Sequence, residues 1–198
     1  ASGPEAESNA YLGPGVWHVV SGKFFAPRFG ADGEKVEDAR FEEIAIENVQ
    51  VLPRASVPDP EGRPEVANAA LCFRSEDRSL CLADIRIRPL NTNVVSAPKG
   101  TIDLLASGAS LSEWSTTSAD DLARWKSSDG VLRGEGGASR LISTASDFDA
   151  VEIVARLAVA KGDAGLYFGW TESQGGFEVN AEGLPNPKTQ SGSLVGLQ

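Results

Sequence analysis

Methionine is missing from all 198 residues, position 1 included, and histidine occurs once, as His18. A chain without an initiator reads as a processed or excised segment, so the lack of a signal peptide says nothing about compartment. A zinc enzyme or a Ser-His-Asp hydrolase would have to be assembled around that one imidazole. Cys72 and Cys81 are the only cysteines, too few for a disulfide scaffold or a four-ligand zinc site. No apolar run approaches the ~20 residues that cross a bilayer, so no membrane span is expected. Basic side chains number 18 against 28 acidic ones, and the formal charge of −10 repels nucleic-acid phosphates and anionic lipid. Nucleic acid is not an expected partner. Helix signals are also scarce: only Ala119–Lys126, with acids at its start and Leu122 and Trp125 three apart, reads as a helix.

What the chain does have is a period of two. In Val151-Glu152-Ile153-Val154-Ala155-Arg156-Leu157 the odd positions are apolar and the even ones include Glu and Arg, the mark of a strand with one buried face. Similar segments lie at Val16–Phe25, Phe41–Leu52, Ala69–Arg74, Leu80–Arg88, Thr101–Ala106, Ser139–Ser143, Ala164–Trp170, Gly175–Ala181 and Ser191–Leu197. Turn signals separate them, at Ala31-Asp32-Gly33, Pro58-Asp59-Pro60-Glu61-Gly62, Ser128-Asp129-Gly130 and Gly136-Gly137. Many short strands with almost no helix predict an all-β sandwich of two antiparallel sheets. The polar stretch Asn91–Gly100 is the best linker and divides the chain into 1–90 and 101–198, halves that do not repeat each other.

Specific motifs then carry a resemblance. The second half contains Leu111-Ser112-Glu113-Trp114, Ser128-Asp129-Gly130-Val131-Leu132, Gly134-Glu135-Gly136-Gly137, Ala164-Gly165-Leu166-Tyr167-Phe168 and Gly176-Phe177-Glu178-Val179. It resembles the start of the 3-keto-disaccharide hydrolase family, formerly domain of unknown function 1080. The first half, with Gly15-Val16-Trp17, Phe25-Ala26-Pro27-Arg28-Phe29 and Ile85-Arg86-Ile87-Arg88-Pro89-Leu90, is similar to the end of the same family. The resemblance implies a concanavalin A-like jelly roll with its halves in reversed order, 1–90 matching the family's C-terminal half and 101–198 its N-terminal half. Ala1 and Gln198 should then approach each other. Three arrangements satisfy that order: a circularly permuted domain, a piece cut from a tandem array, or a subunit completed by neighbouring copies in a head-to-tail filament.

In jelly rolls of this kind the outward residues of a concave sheet line a groove suited to sugars. Glu178 and Asn180, two apart on one predicted strand, project from the same face and are the first candidates for it. Glu178 is the candidate catalytic base; the pair is also compatible with an ordinary solvent-facing strand. The resemblance implies Glu-x-Gln at this point, so Asn180 is one methylene short. It also implies a Leu-Gln-Asp-His-Gly hairpin where this chain has Phe73-Arg74-Ser75-Glu76-Asp77, leaving Arg74 and Glu76 as substitutes. Trp170 is a sugar-stacking or a packing residue. Alternation puts His18 opposite Trp17, so a core Trp17 leaves His18 facing solvent or the groove. With a turn at Glu76-Asp77, Cys72 lies across from Cys81 in a hairpin, and a disulfide is expected in an exported protein. No cofactor is indicated. Structural calcium is conceivable, but no EF-hand loop is present, and Gly134-Glu135-Gly136-Gly137 lacks the lysine of a phosphate loop. The expected protein is an exported carbohydrate-related module, non-catalytic in binding or head-to-tail assembly. The alternative is a 3-keto-glycoside hydrolase acting by proton abstraction and elimination.

Overall fold

Alternating apolar residues do become strands. The computed structural model describes residues 7–8, 10, 12–56, 70–76, 80–90, 100–105, 110–135, 139–144, 148–160, 163–171, 175–182 and 194–196. In chain order the strands are β1 (His18–Phe25), β2 (Arg28–Phe29), β3 (Lys35–Glu37), β4 (Arg40–Ile46), β5 (Val49–Leu52), β6 (Ala55–Ser56), β7 (Ala70–Glu76), β8 (Leu80–Pro89) and β9 (Ile102–Asp103). They continue with β10 (Trp114–Ser115), β11 (Trp125–Ser128), β12 (Val131–Gly134), β13 (Ser139–Ser143), β14 (Ala150–Val159), β15 (Asp163–Thr171), β16 (Gly175–Glu182) and β17 (Leu194–Gly196). Among the described residues one short α-helix, α1 (Ala119–Ala123), precedes β11, and a 3-10 turn at Leu111–Glu113 precedes β10.

Among the described residues a nine-stranded sheet runs β11-β12-β8-β14-β1-β4-β5, with β6 on β4 and β9 on β8, and a six-stranded sheet runs β10-β13-β7-β15-β16-β17. All pairings are antiparallel. Strands from the two halves of the chain interleave in both sheets: β8 lies between β12 and β14, and β7 between β13 and β15. The segment after β8 brings the chain back onto it, with Ile102 opposite Ile87 and Asp103 opposite Arg86. One apolar cluster accordingly draws on both halves, from Val20 to Val179.

That cluster joins the sheets face to face. Phe24 and Phe41 from the nine-stranded sheet meet Phe168 from the six-stranded sheet, with ring centroids 5.3 and 5.0 Å away. Phe24 and Phe41 are themselves 5.1 Å apart. Burying each ring contributes roughly 1.5–3 kcal/mol. Two bulges reset the alternation so that both ends of a long strand feed this core. At Glu43 in β4 and Asp84 in β8 the backbone turns left-handed, with φ of 55° and 48°, and the apolar series shifts parity from Phe41 to Ile44 and from Leu82 to Ile85.

Local signals account for several boundaries. Asp129 and Gly130 both have positive φ and close the β11–β12 hairpin, as an Asp-Gly pair should. The predicted strand Phe41–Leu52 is two strands, because Glu47 and Asn48 take the same left-handed pair without any glycine to announce it. The helix expected to reach Lys126 starts where Ser118 caps it, its hydroxyl accepting the Asp121 N–H at 3.1 Å. It ends three residues early because Trp125, 3% exposed, enters the core from a strand.

The disulfide expectation is corrected. β7 and β8 are not a hairpin: the chain crosses between sheets, leaving Cys72 opposite Tyr167 and Ile142, and Cys81 opposite Ala158 and Arg133. Neither cysteine is in a disulfide. Alkylating the denatured chain without reductant should therefore add two labels, read by intact mass; an unlabelled chain would restore the bridge.

At the open side of β5, a preceding segment lies alongside. The Glu7 N–H donates to the Val51 carbonyl at 2.8 Å and the Ser8 hydroxyl to the Gln50 carbonyl at 2.9 Å. The approach of Ala1 to Gln198, the Asn91–Lys99 part of the linker and the Pro58–Gly62 turn lie outside the described residues.

Candidate functional site

Five of the six predicted site residues fall on the six-stranded sheet. Arg74 and Glu76 are on β7, Trp170 on β15, and Glu178 and Asn180 on β16. The register sorts them into rows. One row reads Ile142, Cys72, Tyr167, Glu178 and Val195; the next reads Arg140, Arg74, Gly165 and Asn180. Glu76 stands opposite Asp163, itself opposite Glu182, and Trp170 stands opposite Ala70 at the far end. For Glu76, Trp170, Glu178 and Asn180 the register position is what is described.

The face these rows occupy is the one turned away from the main core. Leu71, Phe73, Leu141, Leu166 and Phe168 point inward, while Cys72 and Tyr167 form a separate buried cluster against Ile142 on the other side. Tyr167 and Cys72 are both fully shielded from solvent. The Arg74 guanidinium lies over the Tyr167 ring, 5.6 Å from its centroid, a cation–π arrangement that orients a half-buried charge. Arg140, also half-buried, pairs directly across from Arg74. The described side chains here are two half-buried arginines beside a buried tyrosine, with the register positions of Glu178 and Asn180 on β16.

Sequence reasoning missed Arg140 and Tyr167. Each had a local signal, since Arg140 alternates with the apolar Leu141 and Tyr167 with Leu166 and Phe168. Only the strand order, which places β7 between β13 and β15, shows that they flank Arg74.

His18 is corrected. It is 1% exposed and shares the core face of β1 with Val20 and Phe24, whereas half-buried Trp17 is on the opposite side beneath the Arg156 guanidinium, 5.2 Å from the ring centroid. The alternation holds and the faces are exchanged, because the Arg156 guanidinium lies over the indole and lets it stay outside the core. The Glu47 carboxylate, 3.9 Å from His18 Nδ1, also accepts the Val19 N–H at 2.7 Å. His18 therefore belongs to neither a groove nor the Arg74 patch.

Among the described residues no three or more His, Cys, Asp or Glu side chains gather as a metal site, and no helix is long and apolar enough to cross a membrane. No protein-family model matches this chain, and no curated protein sequence matches it.

Proposed function

We propose that this chain is an exported carbohydrate-binding β-sandwich module, a jelly roll of permuted 3-keto-disaccharide hydrolase type, whose binding face is the outer side of the six-stranded sheet. The observation that supports the reading is the register that puts the half-buried Arg74 and Arg140 on the same sheet face as the positions of Glu178 and Asn180. Sugar hydroxyls each donate and accept, and a patch that combines guanidinium donors with carboxylate and amide residues offers both. Arginine, unlike lysine, presents fixed donors to vicinal oxygens.

Catalysis is the second reading, supported by Glu178 on the same sheet as Arg74 and Arg140, in the row beside theirs. There Glu178 removes the proton beside a ketone and the arginines stabilise the enolate oxygen before the glycosidic bond breaks. One carboxylate without a histidine is sparse equipment for this, which favours binding. Assembly through sheet edges is the other non-catalytic reading, and on the β5 side residues 7 and 8 already occupy two carbonyls.

Calorimetric titration with neutral and acidic oligosaccharides tests the proposal. Binding should weaken about 10-fold or more in Arg74→Ala, the expected effect of losing charged hydrogen bonds. Turnover of a 3-keto-glycoside that disappears in Glu178→Gln would replace binding by hydrolysis as the function. Filaments that grow with concentration in a sample binding no sugar would establish assembly.

A further inference from the structure

The opposite, nine-stranded sheet carries its own polar depression. Its outer face has a row of alternating charge: Arg88 opposite Glu152, Glu152 opposite Lys23, and Lys23 opposite Glu42. The next row reads Arg86, Val154, Ser21, Ala45 and Gln50, so in mid-sheet the side chains shrink to a hydroxymethyl and a methyl. A cleft of about 260 Å³ opens there. Ser21, Gly22 and Ala45 form its floor, and Lys23, Glu43, Glu152, Asn48 and Gln50 its walls.

The walls are held in place by unusual backbone. Glu43, Glu47 and Asn48 all have positive φ, at 55°, 53° and 62°. Asparagine accepts that region readily, but glutamate does so at a cost of roughly 1 kcal/mol or more. The register shift between Ser21 and Lys23 is the bulge that turns Glu43 back across β1, where its carboxylate meets Lys23 Nζ at 2.5 Å. That hydrogen bond, opposed by burial and helped by the negative fields of Glu43, Glu152 and Glu42, holds the Lys23 ammonium above the usual lysine range. Glu152 is fixed from its other side by Arg88, whose Nε donates at 2.7 Å.

We propose that this cleft is a second binding site, taking one neutral pyranose unit. At about 260 Å³ it falls just below the range of drug-sized ligand sites, which run from roughly 300 Å³ upward, and so suits a single ring. Its lining combines donors and acceptors, an ammonium, a hydroxyl and two amides with two carboxylates, which matches a ring of hydroxyls that do both. Two carboxylates against one ammonium, on a chain of charge −10, disfavour an anionic ligand. The side beside Val154, which is 38% exposed, offers an apolar rest for ring C–H groups. Because the cleft and the Arg74 patch are on different sheets, the site stands independently of the function proposed above and would make the module bivalent.

Backbone amide NMR during titration with glucose, galactose and maltose, and with glucuronate as anionic comparator, decides the matter. Saturable shifts at Ser21, Gly22 and Ala45 are expected for at least one neutral sugar in the millimolar range, with glucuronate about 10-fold weaker or worse. Ala45→Leu fills the floor without touching the Lys23–Glu43 pair and should abolish these shifts, as should Ser21→Leu if the first variant folds poorly. Arg74→Ala should leave them unchanged, which separates this site from the other. No saturable shift with any neutral sugar, equal binding of glucuronate, or shifts that persist in a folded floor-filled variant would overturn the proposal.

Discussion

Replacing Phe168 by alanine should lower the free energy of unfolding by about 3–5 kcal/mol, the range for emptying a phenyl ring from a packed core. Phe168 is 1% exposed and is the six-stranded sheet's contribution to a three-ring cluster whose other members, Phe24 and Phe41, belong to the facing sheet. Neither partner can move far to refill the space, because each is fixed in a strand paired on both sides. Against a typical stability of about 5–15 kcal/mol, the loss would shift the urea midpoint strongly while leaving the slope unchanged. Phe29, at 38% exposed on the small β2–β3 hairpin, is the control, and its alanine variant should stay within about 0.5 kcal/mol of the parent. A Phe168→Ala loss as small as the control's would mean that the sheets do not pack through this ring.

His18→Asp should be about as damaging, on the order of 3–5 kcal/mol near neutral pH, as expected for an uncompensated charge in a core. The site is 1% exposed, and the nearest carboxylate, on Glu47, would repel a second one. The sign of the pH dependence follows from burial and repulsion, which raise the introduced carboxyl's folded-state pKa above its unfolded value near 3.9. The penalty is then fully developed above the raised value and fades as pH falls toward 4. His18→Phe, similar in shape and uncharged, should be much milder. Paired thermal melts at both pH values would show this, and an Asp variant as stable as the parent at neutral pH would return His18 to the surface.

The fold was legible where one face of a strand is apolar and its ends are punctuated, as in Ser139–Ser143, whose predicted limits match the strand. It was less legible where the backbone departs from alternation without glycine. Glu43, Glu47 and Asp84 adopt left-handed conformations, and no propensity rule assigns glutamate to them. His18 was placed on the wrong face because alternation gives the relation between neighbours and not which side is buried; Arg156, from a strand far away in sequence, settles that. The Cys72–Cys81 pairing failed for a related reason. A short connection between two strands suggests a hairpin, yet in a sandwich the same few residues serve as well to change sheets. As for the candidate site, Glu178 and Asn180 were singled out by type and spacing and Arg74 by the resemblance, but the placement of Arg140 and Tyr167 beside Arg74 depends on strand order, which is a non-local property.

The contact of residues 7 and 8 with the β5 carbonyls has a further consequence, for how this chain meets copies of itself. A segment tethered to the strand it covers competes at an effective concentration that for short flexible links is in the millimolar range. A free neighbour at micromolar concentration must displace it to dock a strand on that side, and starts from a disadvantage of roughly a thousand-fold. The contact therefore disfavours the addition of a free strand at β5, and releasing residues 7 and 8 would remove that disadvantage.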